Sequence, residues 1–502
     1  MSPLSNATTA SPPATKARNP LSHIPGEDGW PLVGNSLKLI GDPIGYIEAG
    51  YRKYGLVWRD RAFGYRGVAL LGPDANELVF ADRAKNFSSA GGWNMVFERV
   101  FPRGLMMMDF DEHRLHRRAM GVAFKPAPMR AYLGLLNEGI QQRVLSWLQA
   151  NRRPGGVADL LFFPAIKQLS LDLAATSFLG MPLGPRATEI NRIFVDMLAA
   201  AAGVVRVPVP GSAMWKGVKG RAALVELFGR EIPRRRQSAD TSLFTALCRA
   251  TKEDGSLLTD QEIIDHTSFL MLAAHDTLTS TITTLVSLLT RHPDWQQRLR
   301  EEMFGLGLPM GAHLTYERLD DLRLLEMAFK EAMRLAPPLP VIPRQAVRDF
   351  EFMGHRIPAG TQVAVSSLFT HRMPEIWPEP DKFDPMRFTD EAVRGRHKYA
   401  WVPYGGGAHM CIGLHFSYML TKTFFYHLLT STRLSMAPGY VPRWQMFPYP
   451  KPMDGLLIQL ERLQPGTAKA ASYGGARAPA RCPLHQSERA HMAVADSPAH
   501  GI

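Results

Sequence analysis

Hydrophobic positions recur with helical spacing over most of the chain. Helical patterns run through residues 130–150, 187–201, 216–237 and 260–291. The last is the longest, and at roughly 1.5 Å per residue it predicts a helix of about 45 Å. Strand-like segments predict a hairpin that turns at Tyr65 and Arg66, and further strands, at residues 57–64, 67–71, 350–357 and 362–366. Together these elements predict a mainly α fold with small β-sheets and one long central helix.

Both ends of the chain lack this periodicity. Residues 1–23 and 464–502 are rich in Ala, Gly, Pro, Ser and His, a composition typical of disordered segments. Between them no internal repeat is evident. We therefore expect a single large domain over residues 24–463, flanked by two disordered tails.

Composition and charge narrow the class of protein. With 45% hydrophobic residues the chain can bury a large core, and its three cysteines, Cys248, Cys411 and Cys482, lack the spacing of metal-binding pairs. No apolar run approaches the roughly 18 residues that span a bilayer. The sequence therefore predicts a cytoplasmic protein without a transmembrane anchor. The net charge of +12 is scattered, which favours an acidic protein partner over nucleic acid.

Cys411 lies in a glycine-rich segment that is typical of a thiolate ligand to haem iron. Gly405, Gly406 and Gly407 precede it, His409 stands two residues before it and Gly413 two residues after it, and an apolar helical pattern follows over residues 414–429. Glycines let a backbone lie flat under a porphyrin, and a helix that starts after the cysteine points N–H groups at the sulfur. The alternative is a buried structural cysteine in a glycine-rich turn.

Three further motifs stand upstream of Cys411 in a fixed order. An acid and an alcohol, Asp276 and Thr277, interrupt the apolar long helix; Glu331 and Arg334 lie three apart on one helical face; and Arg387 stands in a proline-containing loop. In this order the motifs resemble those of the cytochrome P450 family of haem-thiolate monooxygenases. The likeness covers roughly residues 24–463. Tyr404 stands where Phe is usual in the family, and Ala274 where Gly is frequent.

The resemblance implies a role for each motif residue. Cys411 would be the axial ligand of the iron of haem b, within a loop shaped by Tyr404, Gly407 and Gly413. Asp276 would relay protons and Thr277 would hold the oxygen hydrogen-bond network. The family's contacts to the haem propionates match His113, Arg117, Arg344 and His409. Its buried structural triad matches Glu331, Arg334 and Arg387, and its substrate pocket matches Ala273, Ala274, Val341 and Ile342.

The implied reaction is insertion of one oxygen atom from O2 into a lipophilic substrate. Electrons would come from NAD(P)H through a separate ferredoxin or flavodoxin with its reductase, and the exposed Arg114 and Arg118 could face that donor.

Residues 207–217 resemble a pocket loop of sterol- and retinoid-oxidising branches, which favours a terpenoid, retinoid or sterol-like substrate. Nearby Lys216, Lys219 and Arg221 allow peripheral membrane contact. The alternatives are a haem-thiolate peroxygenase or isomerase, and a haem-based sensor. The place of His275 before Asp276 suggests a metal or catalytic role, but we favour a hydrogen-bonded histidine on the far side of its helix or a modulator that acts on the site indirectly.

Overall fold

The computed structural model describes residues 19–150, 153, 156–203 and 206–463. Five of its α-helices begin at proline, whose fixed φ suits the first turn and whose missing N–H is not needed there. In chain order the helices are α1 Ser36–Gly41, α2 Pro43–Tyr54, α3 Pro73–Ala81, α4 Ser89–Phe97, α5 Phe110–Gly121, α6 Pro126–Gln149, α7 Phe162–Ser177, α8 Pro185–Ala202, α9 Ala213–Gln237, α10 Leu243–Cys248, α11 Asp260–Arg291, α12 Pro293–Gly305, α13 Arg323–Leu335, α14 Ser367–Thr370, α15 Asp390–Arg394 and α16 Leu414–Ser431.

The strands are short. They are β1 Val57–Ala62, β2 Tyr65–Leu70, β3 Phe87–Ser88, β4 Val157–Leu161, β5 Ile342–Ala346, β6 Phe350–Phe352, β7 His355–Ile357, β8 Gln362–Val365, β9 Thr432–Ser435, β10 Trp444–Gln445, β11 Lys451–Pro452 and β12 Leu457–Arg462. The largest sheet has the order β1-β2-β8-β5-β3, with β2 and β8 parallel and the other pairs antiparallel. A three-stranded sheet β4-β12-β9 and the hairpins β6–β7 and β10–β11 complete the described strands.

Helix α11 runs through the centre of the fold. It starts at a capping box, in which the Thr259 side chain accepts from the N–H of Glu262 while the Glu262 carboxylate accepts from the N–H of Thr259. It ends at His292, because Pro293 follows. Most of its length is buried against α7, α9, α10 and α13. The predicted range of this helix is confirmed residue for residue.

Two details of the prediction are wrong. The first hairpin turns at Phe63 and Gly64, which both have positive φ (52° and 83°), so that Tyr65 opens β2 and pairs with Ala62. Two residues with positive φ are what a tight two-residue hairpin turn requires. The folded part also begins before residue 24, because Leu21 is buried in the main core. The predicted tail over residues 464–502 lies outside the described residues.

Candidate functional site

A large cavity separates α11 from the loop before α16. Its volume is about 1350 Å³, and its walls come mainly from apolar side chains of α4, α11 and the five-stranded sheet. The residues predicted to form a substrate pocket all line it: Ala273, Ala274, Val341 and Ile342. Exposed residues such as Leu32 and Tyr65 line it as well, so the cavity opens to the protein surface beside the first hairpin.

Cys411 stands in the wall of this cavity. Its backbone N–H donates to the carbonyl of Tyr404 (3.0 Å), which closes the loop, and Gly413 is the N-cap of α16. Cys411 is exposed only in the sense that it lines the cavity. The surrounding protein still desolvates its thiol. This desolvation raises the pKa of Cys411, while the Gly413 N–H and the Arg117 cation act in the opposite direction. A positively charged metal at the sulfur would supply what the protein alone lacks to keep the thiolate.

Gly413 and Gly407 of this loop lack a side chain for different structural reasons. A Cβ on Gly413 would point toward the sulfur of Cys411 (3.9 Å) and meet no protein atom closer than that, so the space beside it is free for a bound group. Gly407 does not line the cavity. A Cβ there would lie 1.8 Å from the carbonyl oxygen of Phe80, and its φ is +58°. Gly407 is therefore required by packing against α3.

Tyr404, also in the cavity wall, has a partner for the hydroxyl that distinguishes it from phenylalanine. Its Oη lies 2.8 Å from Oγ of Ser417, which in turn donates to the carbonyl of Leu414 in the first turn of α16. The Tyr404 ring packs against Tyr418 at 5.9 Å between centroids. The hydroxyl thus ties the loop before Cys411 to the helix after it.

Four basic side chains meet at one edge of the cavity: His113, Arg117, Arg344 and His409. The rings of His113 and His409 stack at 3.8 Å between centroids. Burial, reinforced by neighbouring cations and the partner ring, lowers the pKa of His113 to about 4 and that of His409 to about 2. Among the described residues no carboxylate forms an ion pair with Arg117 or Arg344, and the buried Nε2 of His113 has no hydrogen-bond partner. Such a cluster fits a bound anion with more than one carboxylate.

Asp276 and Thr277 both face the cavity from the middle of α11. The Thr277 hydroxyl donates to the carbonyl of Ala273 (2.7 Å), one turn earlier, and the helix continues without a break. Oδ1 of Asp276 lies 3.4 Å from Nζ of Lys167 on α7. The hydroxyl of Tyr449 also interacts with Asp276, and burial together with this carboxylate raises the pKa of Tyr449. Neither Lys167 nor Tyr449 carried a sequence signal, because both are distant from residue 276 in the chain.

The structure contradicts the interpretation of His275 as a hydrogen-bonded histidine. It is buried, and neither ring nitrogen has a hydrogen-bond partner among the described residues. It is therefore not a hydrogen-bonded histidine on the far side of the helix. Its Nε2 lies 3.6 Å from Oδ1 of Asp276, and burial lowers the pKa of His275 to about 4, which keeps the ring neutral beside the acid.

Glu331 and Arg334 form a fully buried ion pair, with Nε–Oε2 and Nη2–Oε1 distances of 2.7 and 2.8 Å. Nε of Arg387 lies 3.6 Å from Oε1 of Glu331, and the backbone N–H of Asp384 donates to the same oxygen. Arg334 also donates to the carbonyls of His371, Pro380 and Lys382. The three residues thus lie together, and they hold α13 against the segment over residues 371–387. Burial raises the pKa of Glu331, while the hydrogen bonds from Arg334 favour its charged form.

Similarity to known proteins agrees with this geometry. The family model described as cytochrome P450 matches residues 24–452. Cytochrome P450 136 of Mycobacterium tuberculosis is 38% identical over 457 residues, which is 90% of each chain. Taxane 10-beta-hydroxylase of Taxus cuspidata is 27% identical, over 87% of this chain and 89% of its own. The solved structure of retinoic acid-bound cyanobacterial CYP120A1 has a TM-score of 0.78 at 26% identity, over 88% of this chain and 99% of its own.

The chain belongs to the cytochrome P450 family. It is an oxidoreductase of the monooxygenase class, and haem is the family's cofactor. The predictions of family, fold class and enzyme class are confirmed. Across the part of the chain that the structure describes, no helix is both long enough and apolar enough to cross a bilayer.

Proposed function

We propose that this protein is a haem-thiolate monooxygenase that inserts one atom of O2 into a lipophilic substrate. One observation carries the proposal: the Cys411 thiol lines the same mainly apolar cavity as a buried basic cluster, whose arginines form no ion pair to the described residues. A flat group with a metal at its centre and carboxylates at its edge would bind the thiol through its metal and the basic cluster through its carboxylates.

Haem b fits these residues. Cys411 would hold the iron, Arg117 and Arg344 would bind the propionates, and His113 and His409 would add neutral donors. When bound, haem supplies the activation of dioxygen. The Gly413 N–H and the Arg117 cation favour the thiolate form of Cys411, and Tyr404 shields the loop next to it.

Thr277 and Asp276 are proposed to supply protons on the opposite side of the cavity from Cys411. Thr277 holds a hydroxyl in the wall, which can donate to a reacting oxygen by turning away from the Ala273 carbonyl. Asp276 is mostly buried, and Lys167 connects its carboxylate toward solvent. A positioned carboxyl group of this kind typically accelerates proton transfer by about 10²–10⁴-fold.

The substrate class we propose is a rigid terpenoid, retinoid or sterol-like compound. The cavity is large and mainly apolar, and Ala273, Ala274, Val341 and Ile342 contribute small or aliphatic surfaces to it. The similarity to a taxane hydroxylase and to a retinoic acid-bound P450 supports this class.

Electrons are proposed to come from NAD(P)H through a separate ferredoxin or flavodoxin with its reductase. Arg114 and Arg118, predicted to face such a donor, are exposed, but both pair with Glu253 at 3.1 and 2.9 Å. The positive charge of this surface is therefore smaller than the sequence suggests. The proposed setting is cytoplasmic, because three cysteines without paired spacing are typical of a protein in a reducing compartment.

The ligand is tested by the spectrum of the reduced protein with carbon monoxide. The native protein should show the red-shifted Soret band of a thiolate opposite the gas. Cys411→Ser should lose this band, whereas Cys248→Ser and Cys482→Ser should keep it. A band that survives in Cys411→Ser would rule out the assignment.

The reaction is tested by turnover with isotopically labelled O2, NADPH and a surrogate ferredoxin system. Monooxygenase activity predicts one labelled oxygen atom per product molecule. Product that forms only with added peroxide would indicate a peroxygenase, product without oxygen incorporation an isomerase, and no product with any lipophilic compound a sensor.

A further inference from the structure

Arg206 follows α8 and lies in the wall of the cavity, where it is half-buried. Its Nη1 donates to the carbonyl of Ala201 (3.0 Å) and, at 3.4 Å, to the carbonyls of Ala200 and Val96. Carbonyls in the last turn of a helix lack partners within the helix, so Arg206 caps the C-terminal end of α8. This capping uses one of the three guanidinium nitrogens.

Within the part of the chain that the structure describes, no acid matches the charge of Arg206. Among the described residues no carboxylate lies within ion-pair distance of its guanidinium, and all hydrogen bonds that it makes to them come from Nη1. None of the three acids in the cavity wall pairs with Arg206. Asp60 accepts hydrogen bonds from Asn35 and Tyr46, and Asp276 pairs with Lys167. Glu98 is exposed and forms no ion pair with Arg206. No hydrogen bond to the described residues occupies Nε or Nη2 of Arg206, which leaves both as donors for a ligand.

Tyr65 is the polar neighbour of Arg206. It opens β2, lines the same cavity and is 47% exposed at the mouth. Arg206 lines the cavity with it, and burial lowers the pKa of the half-buried guanidinium. An exposed phenol and a half-buried guanidinium thus line the same mainly apolar cavity.

We propose that Arg206, assisted by Tyr65, binds a carboxylate of the substrate, so that the enzyme selects apolar acids. This inference rests on the proposed function and narrows its substrate class. A guanidinium offers parallel N–H donors that match the two oxygens of a carboxylate. Nη1, bonded to the last carbonyls of α8, shields the bound anion from the partly negative end of that helix. The acid group would be held at the mouth, and its apolar body would extend along the cavity walls toward Cys411.

The test uses matched pairs of an acid and its methyl ester: dehydroabietic acid and palmitic acid, each against its own ester. Binding to the haem-loaded protein is measured near neutral pH by equilibrium dialysis, which reports affinity without turnover. The native protein should prefer at least one acid over its ester by about tenfold, the size of one charge-assisted hydrogen bond. Arg206→Gln should abolish the preference, and Arg206→Lys should retain part of it.

Arg99→Gln is the matched control, because Arg99 is an exposed arginine in the wall of the same cavity and forms no ion pair to the described residues. It should leave the preference unchanged. Tyr65→Phe should reduce the preference without abolishing it.

Arg206→Gln removes a helix cap, so a second measurement on the native protein keeps the test decisive. Raising the ionic strength from about 0.05 M to about 0.5 M should weaken binding of the acid and leave that of the ester unchanged, because salt screens the part of a charge pair that faces solvent. Equal affinity for acid and ester in every pair, or a preference that survives in folded Arg206→Gln, would show that Arg206 is a helix cap only. Failure of the monooxygenase proposal would appear separately, in the carbon monoxide spectrum and the labelled-oxygen assay.

Discussion

The ammonium of Lys167 on α7 lies 3.4 Å from Oδ1 of Asp276 on α11. The Lys167 side chain is 27% exposed and the Asp276 side chain 14% exposed, so the pair runs from the surface to the cavity wall. Tyr449 and the neutral ring of His275 contact the same carboxylate. Two distant parts of the chain, at Lys167 and Tyr449, thus reach Asp276, and His275 is its neighbour on α11. Lys167 is its only cationic partner among the described residues.

Replacing Lys167 should slow turnover without loss of substrate binding. In Lys167→Met we expect a decrease in kcat of about tenfold and a larger solvent isotope effect, because Asp276 loses its connection to solvent. The decrease should be smaller than the about 10²–10⁴-fold effect of Asp276→Asn. Lys252→Met is the matched control, since Lys252 is equally exposed and pairs with Glu262 of the same helix. An unchanged isotope effect in Lys167→Met would contradict this role.

Thr277→Ala should bind haem and substrate but divert reducing equivalents to hydrogen peroxide. The hydroxyl lies in the cavity wall, and its removal leaves a reacting oxygen without that donor. The ratio of product to NADPH consumed, measured together with peroxide, checks the prediction. Thr283→Ala is the control, because its hydroxyl makes the same bond one turn back, to Thr279, but does not line the cavity. Equal coupling in both variants would argue against a role for Thr277.

Glu331→Ala should yield little haem-loaded protein. Removing the carboxylate leaves Arg334 as a buried charge without its ion-pair partner, which typically costs about 3–5 kcal/mol. Haem content per milligram of purified protein measures the effect, and Thr277→Ala should be fully loaded in the same assay. A stable, haem-loaded Glu331→Ala protein with a purely catalytic defect would show that Glu331 takes part in the reaction instead of holding the fold.

Acid should destabilise the protein through its buried neutral histidines. Burial, reinforced by Arg334 and Arg372, lowers the pKa of His371 to about 3, below the ordinary value near 6.5. The unfolded chain takes up this proton as the pH falls below about 6.5, but the folded protein does not until about pH 3. The stability that this histidine contributes above pH 6.5 is therefore lost progressively across that range, by about 2 kcal/mol at pH 5.

The pH effect is measured by urea unfolding at about pH 7 and about pH 5. His371→Gln should show a smaller loss of unfolding free energy between these pH values. The new amide oxygen can accept the hydrogen bond that Val402 N–H now donates to Nε2 of His371. Part of the slope should remain, because burial also lowers the pKa of His266 and His427. Equal slopes in both proteins would contradict the prediction.

The sequence alone determined the features that depend on local chemistry. The range of α11 was predicted from its helical pattern, and the capping box of Thr259 and Glu262 and the proline at 293 are the local signals that set its ends. The motif around Cys411, with its helix and its order after the upstream pairs, was sufficient for the family. These signals are readable because capping, helical periodicity and loop chemistry act between neighbours in the chain.

Only the tertiary structure decided which groups meet across the chain. It paired Asp276 with Lys167, neutralised part of the Arg114 and Arg118 surface with Glu253, and placed Gly407 against the Phe80 carbonyl. It also left Arg206, in the wall of the cavity, without an acidic partner among the described residues. No sequence pattern predicts these relationships, because each depends on the packing of elements far apart in the chain, and burial rather than residue type then decides which charges are matched.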